Sequence, residues 1–137
     1  MRRRRRFGGR SGGMRIATAD EAAALLRPFF EGAQEERVAV LHLGPGREVI
    51  GVTREASGGA GDVELPVGAI VGNALRLGAE AIIVGHNHPS GDAAPSGEDV
   101  AATRQLADAA AAVGVRLVDH LVFAGGECRS FRALGLL

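Results

Sequence analysis

The chain has 137 residues, 46% of them hydrophobic and 23% charged, the balance expected of one soluble globular domain with a single core. No run approaches the ~18 apolar residues of a membrane helix, and Arg2 to Arg6 lead into Phe7-Gly8-Gly9-Arg10 rather than the apolar stretch of a signal peptide. One cysteine, Cys128, excludes an internal disulfide, so a reduced, cytoplasmic setting is the expectation.

The net charge of zero is unevenly spread. All 16 basic residues are Arg, and seven of them (positions 2–6, 10 and 15) precede the first acid, Asp20. Beyond residue 15, nine Arg face 16 acids, a net of −7. An acidic body argues against a broad cationic face for nucleic acid. The Arg/Gly-rich arm at 1–15 reads as disordered, and residues 16–137 as the one folded domain. The arm fits weak, non-specific attraction to phosphates, and equally a solvated tail upstream of a start at Met14.

Along the chain, Thr18-Ala19-Asp20-Glu21 has the spacing of a capping box, and apolar residues at helical intervals from Ala22 to Phe30 predict a first helix ending before Gly32. Val38 to Leu43 is a short continuous apolar run, a buried strand. Gly44-Pro45-Gly46 turns it into an antiparallel partner over 48–53. A Gly-rich connection at 58–61 leads to a short strand expected over Val63-Glu64-Leu65. Pro66 then opens a helix with Ile70, Val71, Ala74 and Leu75 on one face, ended by Gly78. Ala81 to Gly85 is the next buried strand, followed by a loop from His86 to Pro95. Ser96 caps a long alanine-rich helix to about Val113; strands over 115–123 and 128–131 complete an α/β (α+β) sandwich around one sheet.

The chemistry-bearing residues gather in that loop. In extended backbone, His86 and His88 face one side and Asn87 the other, and Pro89 disfavours helical geometry at His88. Two co-facing His with Asp99, in the first turn of the next helix, supply three ligands and leave a fourth tetrahedral position for water, the layout of a catalytic zinc. The same residues also read as a polar loop and a helix start, with Ser96 at the N-cap and acids in the first turn.

The string His86-x-His88-Pro89, six residues, Ser96-x-x-Asp99 resembles the JAMM signature of MPN (JAB) metallopeptidases. The wider stretch HNHPSGDAAPSGEDV, with Thr103, Leu106, Asp119-His120, Ser130-Phe131 and Gly135-Leu136, is similar to the bacterial RadC branch. The resemblance runs from about Glu35 to the C-terminus. It implies a single MPN/JAB-like domain, a curved mixed β-sheet flanked by helices, with Zn2+ held by His86, His88 and Asp99. It also implies a general-base glutamate at the start of an early strand, which Glu36 matches, and an oxyanion-steadying serine, which Ser96 matches.

Glu35 is the neighbouring candidate for the base, and alternation lets only one of the two face the metal. Glu36 is the choice, its bland alternative being a charge that flanks an apolar strand. Glu55 is a distant third. Asp119 and His120 are expected to be an outer supporting pair rather than further ligands. His42 reads as a core or edge histidine and Cys128 as a small buried hydrophobe. Asn87, Ser90 and Asp92 suit either the loop mouth or turn chemistry.

The departures from the RadC pattern are the missing helix-hairpin-helix region and Val67 where Arg is typical. The expected function is a zinc-dependent metallohydrolase of the JAMM type acting on a peptide or isopeptide bond in a peptide or protein substrate. The alternative is a non-catalytic module, associated with DNA repair or protein interaction, that keeps a structural metal. The scarcity of aromatics (five Phe, no Trp or Tyr) weighs against a single-stranded DNA platform.

Overall fold

The computed structural model describes residues 13–55 and 65–137. Most of the arm, the 58–61 connection, and Val63 and Glu64 of the expected short strand lie outside the described residues. Leu65 is buried without joining a strand.

Helix α1 spans Ala19–Leu26, and its capping box forms as expected: the Thr18 hydroxyl accepts from Glu21 N–H, while the Glu21 carboxylate accepts from Thr18 N–H. The α-helix stops earlier than its apolar pattern. Pro28 lacks the N–H that would continue the ladder, and residues Arg27–Phe29 form a 3-10 turn instead. Strands β1 (Val38–Leu43) and β2 (Val49–Glu55) make the hairpin, with Arg15 bridging Glu48 beside its turn. Helix α2 (Val67–Leu77) ends at Gly78, whose φ of 72° is the left-handed cap that glycine adopts without strain. Strand β3 covers Ala81–Asn87, helix α3 Gly97–Ala112, strand β4 Arg116–Ala124 and strand β5 Glu127–Ser130.

The five strands form one mixed sheet in the order β2-β1-β3-β4-β5, antiparallel except for the β3–β4 pair. With the three α-helices of the described residues it is an α+β fold. Both faces are covered, which is why β1 and β3 are buried along their whole length and, apart from His42, His86 and Asn87, carry no polar side chains. On one face, α1 packs Ala22, Ala23 and Leu26 against Ala39, Leu41, Ile83 and Leu121. On the other, Ile70 and Ala74 of α2 and Leu106 and Ala110 of α3 pack against Val38, Val40, Ile82 and Val84. No helix among the described residues is long and apolar enough to cross a membrane.

A bulge decides which face the end of β4 shows to its neighbour. Ile82 pairs with Leu117, but Ile83 pairs with Asp119, so Val118 is an extra residue. A one-residue insertion reverses every later side chain. His120 therefore shares the α3 face with Val84 and His86, and Asp119 turns to the α1 face.

Candidate metal centre

Strand β3 does not stop at Gly85. It runs on through His86 and Asn87, so His86 projects from rigid sheet and only His88 lies beyond the strand. The central position leaves His86 with 0% exposure. Asp99 arrives from the first turn of α3, where the Ser96 hydroxyl accepts from Asp99 N–H (3.0 Å) and Asp99 Oδ2 accepts from Ser96 N–H (2.8 Å). Capping thus aims the carboxylate inward, and Asp99 is 3% exposed.

Three side chains meet there. His86 Nε2 lies 3.0 Å from His88 Nε2 and 3.6 Å from Asp99 Oδ1, and His88 Nε2 lies 3.1 Å from Asp99 Oδ2. Their potential ligand atoms fall within 4.8 Å of one another, so the group could hold a metal ion. A tetrahedral ion with bonds of roughly 2.0–2.1 Å needs ligand atoms about 3.3 Å apart, and the observed separations bracket that value. The chemistry fits as well. Among the described residues, the ion-pair partners of Asp99 are His86 and His88, with no arginine beside this buried carboxylate. Such a charge calls for a cation.

The His86 imidazole is in the form a metal requires. Burial lowers the His86 pKa to about 4, opposed by the Asp99 charge and helped by His88, so it is neutral near pH 7. His88 Nδ1 sits 2.8 Å from the Asp92 carbonyl, which can only accept. Nδ1 therefore donates to that carbonyl, and Nε2 is the nitrogen turned toward His86 and Asp99.

The remaining candidates separate clearly. Glu36 lies two residues before β1 and is half-buried, while Glu35 is exposed. Asn87, on the face of β3 opposite His86, accepts from Arg37 N–H (2.7 Å) and donates to the Glu35 carbonyl (3.1 Å). It grips the backbone on both sides of Glu36, a role that its place between two histidines did not advertise. The one available signal was the alternation that turns it away from them.

Glu55 is a strand further off, paired with Val38, and its carboxylate accepts from Thr53 Oγ1 (2.7 Å) and Asn73 Nδ2 (2.9 Å). His42 joins that network through Thr53 (2.8 Å) and is fully buried, as a core histidine should be. Asp119 is saturated by Ser130 Oγ, Arg132 N–H and His120 N–H and ties the C-terminal turn to β4. Cys128 is half-buried against the α1-side core, and burial pushes its thiol up to about 11, away from nucleophile behaviour.

Beside His88 lies a cavity of about 360 Å³, walled by Arg27, Phe30, Asn87, Pro89, Phe123 and Gly125 among others. Phe30 and Phe123 stack at 4.9 Å, and the Arg27 guanidinium lies 5.3 Å over Phe123.

A mixed five-stranded sheet with flanking helices and a His-x-His/Asp cluster at the end of its central strand defines a JAB/MPN domain. The chain belongs to the RadC-like JAB domain family, whose family model matches residues 16–136. It is 44% identical over 102 residues to a UPF0758 protein of Rhodobacter capsulatus, covering 74% of this chain and 48% of that protein. To a UPF0758 protein of Carboxydothermus hydrogenoformans it is 33% identical over 114 residues, 83% of this chain and 50% of the other. To UPF0758 protein NMC1174 of Neisseria meningitidis it is 37% identical over 123 residues, 89% and 54%. The chain spans about half the length of these curated relatives.

Proposed function

We propose that the chain is a zinc-dependent metallohydrolase of the JAMM type that cleaves a peptide or isopeptide bond. The observation that carries this reading is the buried His86–His88–Asp99 triangle, 3.0–3.6 Å on its sides, with no arginine among the described residues paired to its carboxylate. A zinc ion held there supplies Lewis acidity and lowers the pKa of a water.

The residues around the triangle divide the remaining work. Glu36 takes the proton from the attacking water and returns it to the leaving amine. Ser96 Oγ uses a lone pair to cap α3, which leaves its own proton free to donate to the carbonyl oxygen as charge develops there. A base at Glu36 and a donor at Ser96 favour an enzyme over a structural metal, which needs neither.

The test is hydrolysis of a peptide library by the full chain and by Glu36→Gln, with metal content measured in both. The variant is expected to keep its metal and lose about 10²–10⁴-fold in turnover. Full activity in Glu36→Gln removes Glu36 from the reaction, and an inert zinc-loaded wild type favours the non-catalytic module.

A further inference from the structure

We infer that the cavity bounded by Phe29, Arg37 and Arg54 is an anion site that takes an acidic side chain of the peptide or protein substrate. This deepens the hydrolase reading above and rests on it for calling the occupant a substrate, but the anion site itself needs neither metal nor turnover.

The cavity has a volume of about 320 Å³ and is walled by Phe29 and Phe30 from the turn after α1, by Arg37 and Ala39 at the start of β1, and by Arg54 of β2. Arg54 pairs with Ala39, a residue of the α1-side core, so its side chain lies on that face of the sheet. Phe29 holds both cations. The Arg54 guanidinium lies 5.3 Å over its ring, and Arg37 Nη1 donates to its carbonyl at 3.4 Å. The Arg37 backbone is fixed in turn by the bond from its N–H to Asn87. Val38 pairs with both His86 and Glu55, so the cavity, the start of β1 and the metal group share one end of the sheet.

Neither guanidinium is neutralised. The chain beyond residue 15 carries 16 acids for nine arginines, yet among the described residues neither Arg37 nor Arg54 forms an ion pair. Glu55 also borders the cavity, but successive side chains of β2 face opposite ways, and its carboxylate is taken up by Thr53 and Asn73. Two like charges on one wall repel until an anion sits between them, and the planar forks of two guanidiniums suit a carboxylate. The cavity beside His88 has no such bias, because it mixes Arg27 with Glu31 and Glu127. A nucleic acid needs a track of cations, and the acidic body around this single pair repels one. Reach agrees with a substrate side chain. Strands lie about 4.8 Å apart, so β2 is about 10 Å from the strand of His86, roughly three residues of extended chain.

Fluorescence anisotropy on the full chain tests the site with labelled probes of equal length: a peptide of alternating Glu and Gly, its counterpart with Gln for Glu, and an oligothymidylate. The Glu peptide is expected to bind more tightly than the Gln peptide, and Arg37→Ala and Arg54→Ala are each expected to weaken it about 10-fold. Arg104→Ala removes the same charge from the exposed side of α3 and is expected to leave that affinity unchanged. Wild-type affinity in both cavity variants, an equal loss in Arg104→Ala, or no preference for Glu over Gln overturns the inference. So does an oligothymidylate bound more tightly than the Glu peptide and lost in both cavity variants. Anisotropy requires no turnover, so a chain that binds the Glu peptide through both arginines but hydrolyses nothing defeats the hydrolase reading and leaves the anion site standing.

Discussion

Asn87→Ala isolates the support beneath Glu36 without touching a ligand. The wild-type amide is 6% exposed and makes two hydrogen bonds across the β1–β3 pair, to Arg37 N–H at 2.7 Å and to the Glu35 carbonyl at 3.1 Å. At about 1 kcal/mol each, their loss destabilises the fold by about 2 kcal/mol, a fall in Tm of roughly 6–10 °C for a domain this size. The local consequence is sharper. The Arg37 amide loses its acceptor, and its hydrogen exchange is expected to accelerate while amides in the middle of β1 stay protected. The backbone around Glu36 loosens with it, and a misplacement on the order of 1 Å lowers turnover about 10²-fold if Glu36 is the base. Asn87→Asp separates the two bonds: it retains the acceptor for Arg37 but sets a carboxylate oxygen against the Glu35 carbonyl. Arg37 protection should survive in that variant and stability should not. Unfolding in urea and hydrogen exchange check the whole pattern. Unchanged Tm and unchanged Arg37 exchange in Asn87→Ala refute the clamp.

Gly85→Ala tests packing beneath the metal face. A Cβ at Gly85 would meet Leu26 and Phe123 at 3.2 Å and Phe30 at 3.3 Å, all in the buried α1-side core, so about 1–3 kcal/mol of stability is lost. Adding Leu26→Ala should then cost less than it does in the wild type, and strict additivity speaks against the squeeze. For His42, burial and the Arg76 charge lower the pKa from 6.5 to about 4, so the unfolded chain takes up the proton first as the pH falls. Stability is present above about pH 6.5 and declines toward pH 4, at up to about 1.4 kcal/mol per pH unit from this group. His42→Gln should reduce that slope in urea titrations at several pH values; an identical slope excludes His42 as a contributor.

Much of the fold was legible because its signals are local. The continuous apolar runs of β1 and β3, the capping boxes at Thr18 and Ser96, and Gly78 at the end of α2 are read off neighbouring residues. Helix α1 ended early because apolar periodicity outran Pro28, whose missing donor stops the α-helix. Assigning His86 to a loop followed from its polarity, yet β3 holds it in the sheet because β1 and β4 supply partners on both sides. The His-x-His spacing and the Ser96–Asp99 turn brought the right side chains to mind, and α3 packing brings them together in space. What the sequence could not disclose depends on distant pairing. The extra residue at Val118 has no local mark, so the division of labour between Asp119 and His120 was hidden, as were Thr103 behind His120 and Asn87 beneath Glu36.

The central claim is that His86, His88 and Asp99 hold a zinc ion, and elemental analysis of the purified full chain beside His88→Ala tests it most directly. The account predicts about one zinc per chain in the wild type, lost in the variant while its fold persists. A wild type with no zinc even after reconstitution contradicts it, and reduces the three residues to a buried polar cluster at a helix cap.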